Sequence, residues 1–307
     1  MLHWHVISPY AQVNNLNEQE NISPAHMAAV PFYRKNGIVL WNEDCIAGMR
    51  EHIRSGTVDT VVTSPPYNIG VPYSTYRDML PKKEYLRWIV KVCVEIRRVL
   101  KENGSFFLNV GGTPSDPWLP MEIAGRLRRH FVLQNMIHWV KSISVPVRNG
   151  TGESYLSLGH YKPVGGKRYL NSCHEFIFHF TKNGTTELDR LAIGVPYGDR
   201  SNIGRWKSAS AGKRCRGNVW FIPYRTIQSR SAQRPHPSTF PKELAEMCIL
   251  LHGNPEGQVI LDPFMGAGST AMAALMLRAR CVGFEIDQAY LSWACRRLDE
   301  AIDEMDI

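Results

Sequence analysis

Six consecutive residues, Thr63-Ser64-Pro65-Pro66-Tyr67-Asn68, close an apolar and β-branched run that begins at Val58. Two prolines in a row fix an extended backbone and withdraw their nitrogens from any strand ladder. Ser64 can accept or donate a hydrogen bond, the Pro65 carbonyl can accept one, and Tyr67 offers a flat ring. Those parts suit an exocyclic amine on a planar base: two acceptors for the NH2 protons, and an aromatic face for a base turned out of its stack. An aromatic amine is a poor nucleophile because its lone pair is shared with the ring. Holding both protons would let the nitrogen pyramidalise toward an electrophile. Ser64 reads as the orienting acceptor rather than a base, since a free hydroxyl has far too high a pKa.

A second chemical segment lies two hundred residues on, at Leu261-Asp262-Pro263-Phe264-Met265-Gly266-Ala267-Gly268-Ser269-Thr270. It follows an apolar strand pattern and opens a helical one, the place where open α/β sheets bind ligands. Gly266 and Gly268 let a backbone approach a ligand closely, and Asp262 and the exposed amides supply polar contacts. No lysine follows the second glycine, so this is not a phosphate-gripping loop, and Ala271 breaks the dinucleotide spacing. Glu285 stands 23 residues after Asp262, in Gly283-Phe284-Glu285-Ile286-Asp287, where a carboxylate can accept from both hydroxyls of a ribose. The plain alternative is a tight turn and a helix-capping acid. Taken together, the features predict a nucleoside cofactor.

The elements that must position these residues read as alternating strands and helices. Strands are predicted at 37–44, 58–64, 105–111, 131–140, 174–180, 258–262 and 280–286, and helices at 82–100, 120–130, 241–251, 269–277 and 287–304. Tyr85, Trp88, Ile89, Val92, Ile96 and Val99 carry the helical period of the first helix. Such alternation predicts an α/β fold with a doubly wound, mostly parallel sheet. Residues 1–35 read as an N-terminal arm and 36–181 as one half of the sheet domain. Residues 182–234 form an inserted, loop-rich module, and 235–307 the second half.

The net charge is +8, and it sits in that insert. Between Lys182 and Arg234 there are eleven Lys and Arg against Glu187, Asp189 and Asp199, so the rest of the chain is near neutral. A basic segment on a balanced body points to a polyanion, with a solvated arginine-rich loop as the plain reading. Arg205, Lys207, Lys213, Arg214 and Arg216 are its candidate contacts to that polyanion. Seven cysteines without a CxxC pair speak against a disulfide scaffold or zinc ribbon and for a reducing cytosol. The histidines show no paired-ligand spacing, so no metal site is expected. No apolar run reaches the roughly 20 residues of a membrane helix.

These motifs resemble those of the amino-group DNA methyltransferases that use S-adenosylmethionine. Thr63–Asn68 looks like their catalytic motif (Ser64, Pro65, Pro66, Tyr67), and Asp262–Thr270 like their cofactor loop. The catalytic motif precedes the cofactor loop with the basic insert between, as in the circularly permuted β class. Further similarities are Asn42-Glu43-Asp44-Cys45, His138-Trp139-Val140-Lys141, Cys173-His174-Glu175-Phe176 and Asn218-Val219-Trp220. Arg234-Pro235-His236-Pro237-Ser238-Thr239-Phe240-Pro241 resembles the segment closing over the cofactor's methionine end. The resemblance spans about residues 36–300.

It implies a Rossmann-like methyltransferase fold and a cofactor site of Asp44, Cys45, Thr63, Ser238, Phe240, Asp262, Pro263, Phe264, Gly266, Gly268, Ser269, Thr270, Glu285 and Ile286. Within it, Glu285 would hold the ribose, Asp44 would lie near the adenine, and Ser238 and Phe240 near the methionine end. Residues 182–234 become a target-recognition region for double-stranded DNA. A partner restriction endonuclease, a homodimer and a prokaryotic cytoplasmic, nucleoid-associated setting fit the same family. Ser before Pro-Pro-Tyr goes mostly with cytosine N4 in this family, and so does the H-P-x-x-F-P segment. Adenine N6, RNA as substrate, and a non-catalytic nucleic-acid-binding protein stay open as alternatives. His138-Trp139 and His174-Glu175 read as structural.

Overall fold

Val61 and Val62 are successive strand residues, so they face opposite sides of a sheet, and both are buried. A strand covered on both faces belongs inside a layered α/β structure. The computed structural model of the protein describes residues 30–149, 152–159, 167–199, 212–223 and 236–305. In chain order the elements are β1 (Tyr33–Lys35), β2 (Ile38–Trp41), α1 (Cys45–His52), β3 (Val58–Thr63), α2 (Lys82–Val99), β4 (Leu100–Val110) and α3 (Leu119–Leu127). There follow β5 (Val132–Val140), the hairpin β6 (Ser142–Asn149) and β7 (Gly152–Gly159), then β8 (His174–Thr181), β9 (Val195–Pro196), β10 (Lys213–Arg214) and β11 (Val219–Phe221). The chain closes with α4 (Lys242–His252), β12 (Val259–Asp262), α5 (Ser269–Met276), β13 (Arg280–Phe284) and α6 (Gln288–Met305).

Nine strands form the main sheet in the order β1-β2-β13-β12-β3-β4-β8-β5-β11. From β2 to β4 all neighbours are parallel, while β8 runs antiparallel between β4 and β5. Two antiparallel pairings in succession return β5 to the direction of β3, and β11 continues parallel to β5. Alternate strand residues feed two cores. Ile38, Leu40, Val62, Phe107 and Ile260 face α4, α5 and α6, whereas Trp41, Val61, Phe106, Leu108 and Leu261 face α1, α2 and α3.

The connection β12–α5–β13 therefore covers one face and moves one way along the sheet. The connection β3–α2–β4 covers the other face and moves the opposite way. The chain direction reverses between β12 and β3, which creates the crevice where open sheets take ligands.

The structure extends the sequence reading in several places. Of the expected arm, residues 1–29 lie outside the described residues, but Tyr33–Lys35 pair with β2 as an edge strand. Helix α1 was not predicted; Asp44 caps it, its Oδ1 accepting from the amides of Ile46 and Ala47 at 3.0 and 3.1 Å. The β6–β7 hairpin was not predicted either, although Asn149-Gly150 between two alternating apolar runs is a hairpin signal.

Trp139 is fully buried in β5, and its Nε1–H donates to the Ile222 carbonyl at 2.8 Å, tying the edge strand β11 to the sheet. Replacement of Trp139 by Phe keeps most of the apolar volume but leaves that carbonyl buried without its donor. The expected cost is about 1–3 kcal/mol in urea unfolding; an unchanged midpoint would show that the bond contributes nothing.

Candidate active site

Strands β3 and β12 pair in parallel, with Ile260 opposite Thr60 and Leu261 opposite Val61. The proline-stiffened tip and the Gly-rich turn thus leave the same sheet edge side by side, although 199 positions separate Thr63 from Asp262. A buried carboxylate fastens them. Asp262 Oδ1 accepts from Thr63 Oγ1 at 2.6 Å and from the Phe264 amide at 3.0 Å, and Oδ2 accepts from Thr270 Oγ1 at 2.7 Å. Asp262, Thr63 and Thr270 are each at most 1% exposed. Burial pushes the Asp262 carboxyl up to about 6, against three donors that favour its charged form.

Above this triad lies a cavity of about 980 Å³, counted to its open mouth. Its wall includes twelve of the predicted site residues: Asp44, Cys45, Ser64, Pro66, Ser238, Phe240, Pro263, Phe264, Gly266, Ser269, Glu285 and Ile286. Thr63, Asp262 and Thr270, expected to touch a cofactor, lie beneath the floor instead, because their oxygens are used to join strand, turn and helix. The glycines are also corrected. Gly266 and Gly268 both adopt positive φ, +49° and +80°. A Cβ on Gly266 would meet His236 at 3.0 Å, and one on Gly268 would meet Ala294 at 2.9 Å. Their lack of a side chain serves the turn and its packing against protein, and Gly268 is off the cavity wall.

Glu285 stands at the wall with one carboxylate oxygen on the Gly266 amide (2.8 Å) and the other on the Asp287 amide (2.9 Å). Burial raises its pKa, and these two amides oppose the rise. Each oxygen keeps a second acceptor position for a ligand hydroxyl. Ser269 Oγ donates to the Phe240 carbonyl at 2.7 Å, binding the predicted closing segment to the start of α5. Asp44 is engaged in capping α1, and burial pushes the Cys45 thiol up.

The amine-binding motif is tied into a polar network. Ser64 Oγ lies 2.8 Å from Tyr67 Oη, and Asn109 Nδ2 donates to Tyr67 Oη at 2.8 Å and to Ser64 Oγ at 3.3 Å. Glu175 Oε2 accepts from Tyr67 Oη at 2.9 Å and from Asn109 Nδ2 at 2.8 Å, while Glu175 Oε1 pairs with Lys141 Nζ at 2.9 Å. Glu175, read as structural from the sequence, stands within two hydrogen bonds of Ser64. The Pro66 carbonyl accepts from Tyr85 Oη at 2.8 Å. Pro65 is buried, and Pro65 and Tyr67 lie off the cavity wall.

Two further wall residues, Tyr76 and Trp88, belong to no motif of the sequence. Tyr76 stacks on Trp88 at 5.9 Å, and Trp88 meets Phe264 at 5.5 Å, which gives an aromatic side. The Tyr76 hydroxyl is buried and has no partner among the described residues. His236 packs edge-on against Tyr290 at 4.5 Å. The loop 68–80 is folded over by Asp78, whose carboxylate accepts from the amides of Asn68, Ile69 and Val71. Ser74 and Thr75 then reach Asp287, which also caps α6 through the amides of Ala289 and Tyr290. Asp287 ends the same segment as Glu285, but its partners are more than two hundred positions away.

Charge decides what kind of ligand fits. Among the described residues the wall carries Glu43, Asp44, Glu285 and Asp287 and neither Lys nor Arg. That environment repels phosphates and favours a cation. With the aromatic side and the ribose-type acceptor, it fits a nucleoside bearing positive charge.

Outside the cavity, Lys213 and Arg214 form β10 and are exposed, while Arg216 Nε donates to the Ile193 carbonyl at 2.9 Å and is half-buried. Arg205 and Lys207 lie outside the described residues. One trio, Glu43, Glu51 and His52, brings three possible ligand atoms within 4.8 Å of one another, with His52 already bound to Glu43 and stacked on Trp41.

The chain belongs to the N6/N4 family of DNA methylases, whose profile matches residues 58–296. It is 26% identical to the type II methyltransferase M.HpaI of Haemophilus parainfluenzae, over 83% of this chain and 73% of that one. It is 27% identical to the DNA adenine methyltransferase YhdJ of Escherichia coli, over 84% and 81%. The PvuII cytosine-N4-specific DNA methyltransferase superposes with a TM-score of 0.64 at 18% identity, over 87% and 88%. The Thermus thermophilus protein TTHA0409, solved with S-adenosyl-L-methionine, does so at 0.54 and 23%, over 84% and 91%. The architecture is thus the Rossmann-like methyltransferase fold.

The raised pKa of Asp262 has a signed consequence. Its contribution to stability is complete below the ordinary carboxylate value near 4 and is lost as pH rises through about 6. Replacement of Asp262 by Asn removes this component. The stability difference between parent and variant, from urea midpoints, should change between pH 4 and 6 and be flat elsewhere; a difference flat throughout would contradict the assignment.

Proposed function

We propose that the protein is a site-specific DNA methyltransferase that methylates the exocyclic N4 of cytosine in a base turned out of double-stranded DNA, with S-adenosyl-L-methionine as donor. One observation carries the reading: Ser64, at a strand tip suited to an amine, shares a cavity wall with Glu285, in an acidic and aromatic pocket suited to a cationic nucleoside. Bound there, S-adenosyl-L-methionine supplies an electrophilic methyl group on a sulfonium sulfur. Glu285 accepts from its ribose hydroxyls, and the side made by Tyr76, Trp88 and Phe264 receives its planar ring. The wall carboxylates and aromatic rings favour its positive charge.

Ser64 Oγ and the Pro65 carbonyl accept hydrogen bonds from the amine's two N–H groups and so aim the nitrogen's lone pair into the cavity; the methylated nitrogen then loses one of these protons to water. Asn109 and Tyr67 hold Ser64 Oγ from its other side, which fixes its orientation before the base arrives. Tyr67, itself held through its hydroxyl by Asn109 and Glu175, gives the extruded base a ring to stack on. This partly offsets an unstacking cost of a few kcal/mol. Positioning of this kind supplies most of the acceleration. No cysteine nucleophile is required.

Cytosine is favoured by Ser64 before Pro-Pro-Tyr and by the His236-Pro237-Ser238-Thr239-Phe240-Pro241 segment. Adenine N6 is the second reading, supported by the likeness to YhdJ, an enzyme named for adenine. Relatives named type II methyltransferases suggest a partner restriction endonuclease for the same sequence. Residues 182–234 act as the target-recognition region, with exposed Lys213 and Arg214 among the DNA contacts.

Purified protein, S-adenosyl-L-methionine and DNA duplexes of varied sequence, followed by digestion and mass identification of the nucleoside, should yield N4-methyl-2′-deoxycytidine; N6-methyl-2′-deoxyadenosine would transfer the assignment to adenine. Ser64→Ala should lower kcat by about 10²-fold, as loss of one preorganised hydrogen bond to a reacting group does, with cofactor affinity unchanged. Replacing Lys213 and Arg214 by Gln should lower the salt slope of DNA binding by about 2. Equal slopes would remove this strand from the interface.

A further inference from the structure

Among the described residues, the β6–β7 hairpin is a long element for which neither the catalytic motif nor the cofactor loop gives a use. Its strands have eight residues each, paired in register from Ser142–Gly159 to Asn149–Gly152. Adjacent residues of a strand point to opposite faces. Tyr155 and Leu156 are adjacent and are 69% and 50% exposed, so both faces of the ribbon are uncovered. Ser142 at the root is the single buried residue among its described side chains. Yet the pattern Ile143, Val145, Val147 against Leu156 and Leu158 is that of a strand pair meant to be covered. A two-stranded hairpin without a covering layer is marginal in water.

Where the ribbon stands identifies its partner. Strand β5 runs parallel to β3, so Val140 ends β5 at the sheet edge where Thr63 ends β3 and Ser64 follows. The ribbon leaves that edge at Lys141 and the chain returns to it at Cys173, whose carbonyl accepts from the Lys141 amide at 2.7 Å. At this root Lys141 binds Glu175, which binds Tyr67 beside Ser64. Any polymer that delivers a base to Ser64 must pass over the edge from which the ribbon projects.

The excursion from 142 to 172 carries Arg148, Lys162, Lys167 and Arg168 against Glu153 alone. On the ribbon Arg148 is paired in register with Glu153, so the surplus is carried by Lys162, Lys167 and Arg168 on the segment that follows it, and it suits a polyanion lying alongside. A two-stranded ribbon fits the major groove, about 12 Å wide, and eight residues reach about 27 Å.

We propose that the β6–β7 hairpin is a DNA-contacting ribbon that enters a duplex groove beside the extruded base, separately from the basic segment 182–234. The proposal rests on DNA being the substrate. Apolar side chains at the ribbon's faces then gain cover from the groove wall and from thymine methyl groups, and Arg148 and the cations of the segment that follows the ribbon meet phosphates.

The test uses the full chain with a photo-reactive benzoylphenylalanine at position 155, and at Met276 as a control. Met276 ends α5, at the opposite sheet edge. Each variant is irradiated with a duplex that the parent methylates. Crosslinks from position 155 to nucleotides within about one helical turn of the methylated base, and none from 276, are expected. A second variant, Tyr155→Ala with Leu156→Ala, should raise KM for DNA roughly tenfold, as loss of an aromatic contact does, with kcat and cofactor KM unchanged. No crosslink from 155 in a variant that still methylates would overturn the ribbon's role, and so would a crosslink to a second protein chain. If the parent binds cofactor but methylates no DNA, the substrate reading fails first, and the ribbon proposal falls with it.

Discussion

One buried carboxylate holds the site together. Asp262 takes hydrogen bonds from the last residue of β3, from the turn after β12 and from the first turn of α5. A charged or half-charged group with essentially no exposure is costly unless its donors are fixed. The cost is met by three donors from three separate elements, so the group can be satisfied only when all three are in place. The amine-binding tip and the cofactor turn are therefore positioned by one interaction, at the point where the sheet's winding reverses. The residues above it need no further device to face one another.

The molecule separates charge by task. The cavity wall holds four carboxylates and, among the described residues, neither Lys nor Arg. The surplus positive charge lies in the basic insert 182–234 and in Lys162, Lys167 and Arg168, which follow the β6–β7 ribbon; the ribbon itself, with Arg148 against Glu153, is neutral. Four carboxylates without a cation suit a positively charged ligand, whereas an excess of Lys and Arg suits a polyanion. Neither surface would serve the other's ligand. The Tyr67–Asn109–Glu175–Lys141 network lies between them and neutralises Glu175 with a lysine from the root of the ribbon.

Local patterns carried much of this. The apolar runs of β3, β12 and β13 and the helical period of α2 mark real elements, because burial on both faces demands apolar residues at those spacings. Ser64 was marked by its proline motif, Glu285 by its place after a strand and Phe264 by the family resemblance, and all three line one cavity. What the sequence concealed was set by distant contacts. Asp262 is followed by a turn that looks ligand-facing, and its burial is visible only once Thr63 is known to sit opposite. Glu175 gains its place from Tyr67, 108 positions earlier. Asp287 draws its partners from the loop at Ser74 and Thr75, which has no periodicity at all. The hairpin did carry local signs, in Asn149-Gly150 and in the alternating Ile143, Val145, Val147 and Leu156, Leu158 that flank it.

The account stands or falls on a meeting of atoms, and the most direct measurement is a crystal structure of the protein with a duplex containing its target site and a non-transferring analogue of S-adenosyl-L-methionine. The account predicts the extruded base with its amine within hydrogen-bond reach of Ser64 Oγ and the Pro65 carbonyl. The amine nitrogen should lie about 3–3.5 Å from the position of the transferable methyl, in line with the analogue's sulfonium site. The ribose should lie on Glu285. An analogue bound away from the Glu285 wall, or a base lodged beyond the reach of Ser64, would contradict it.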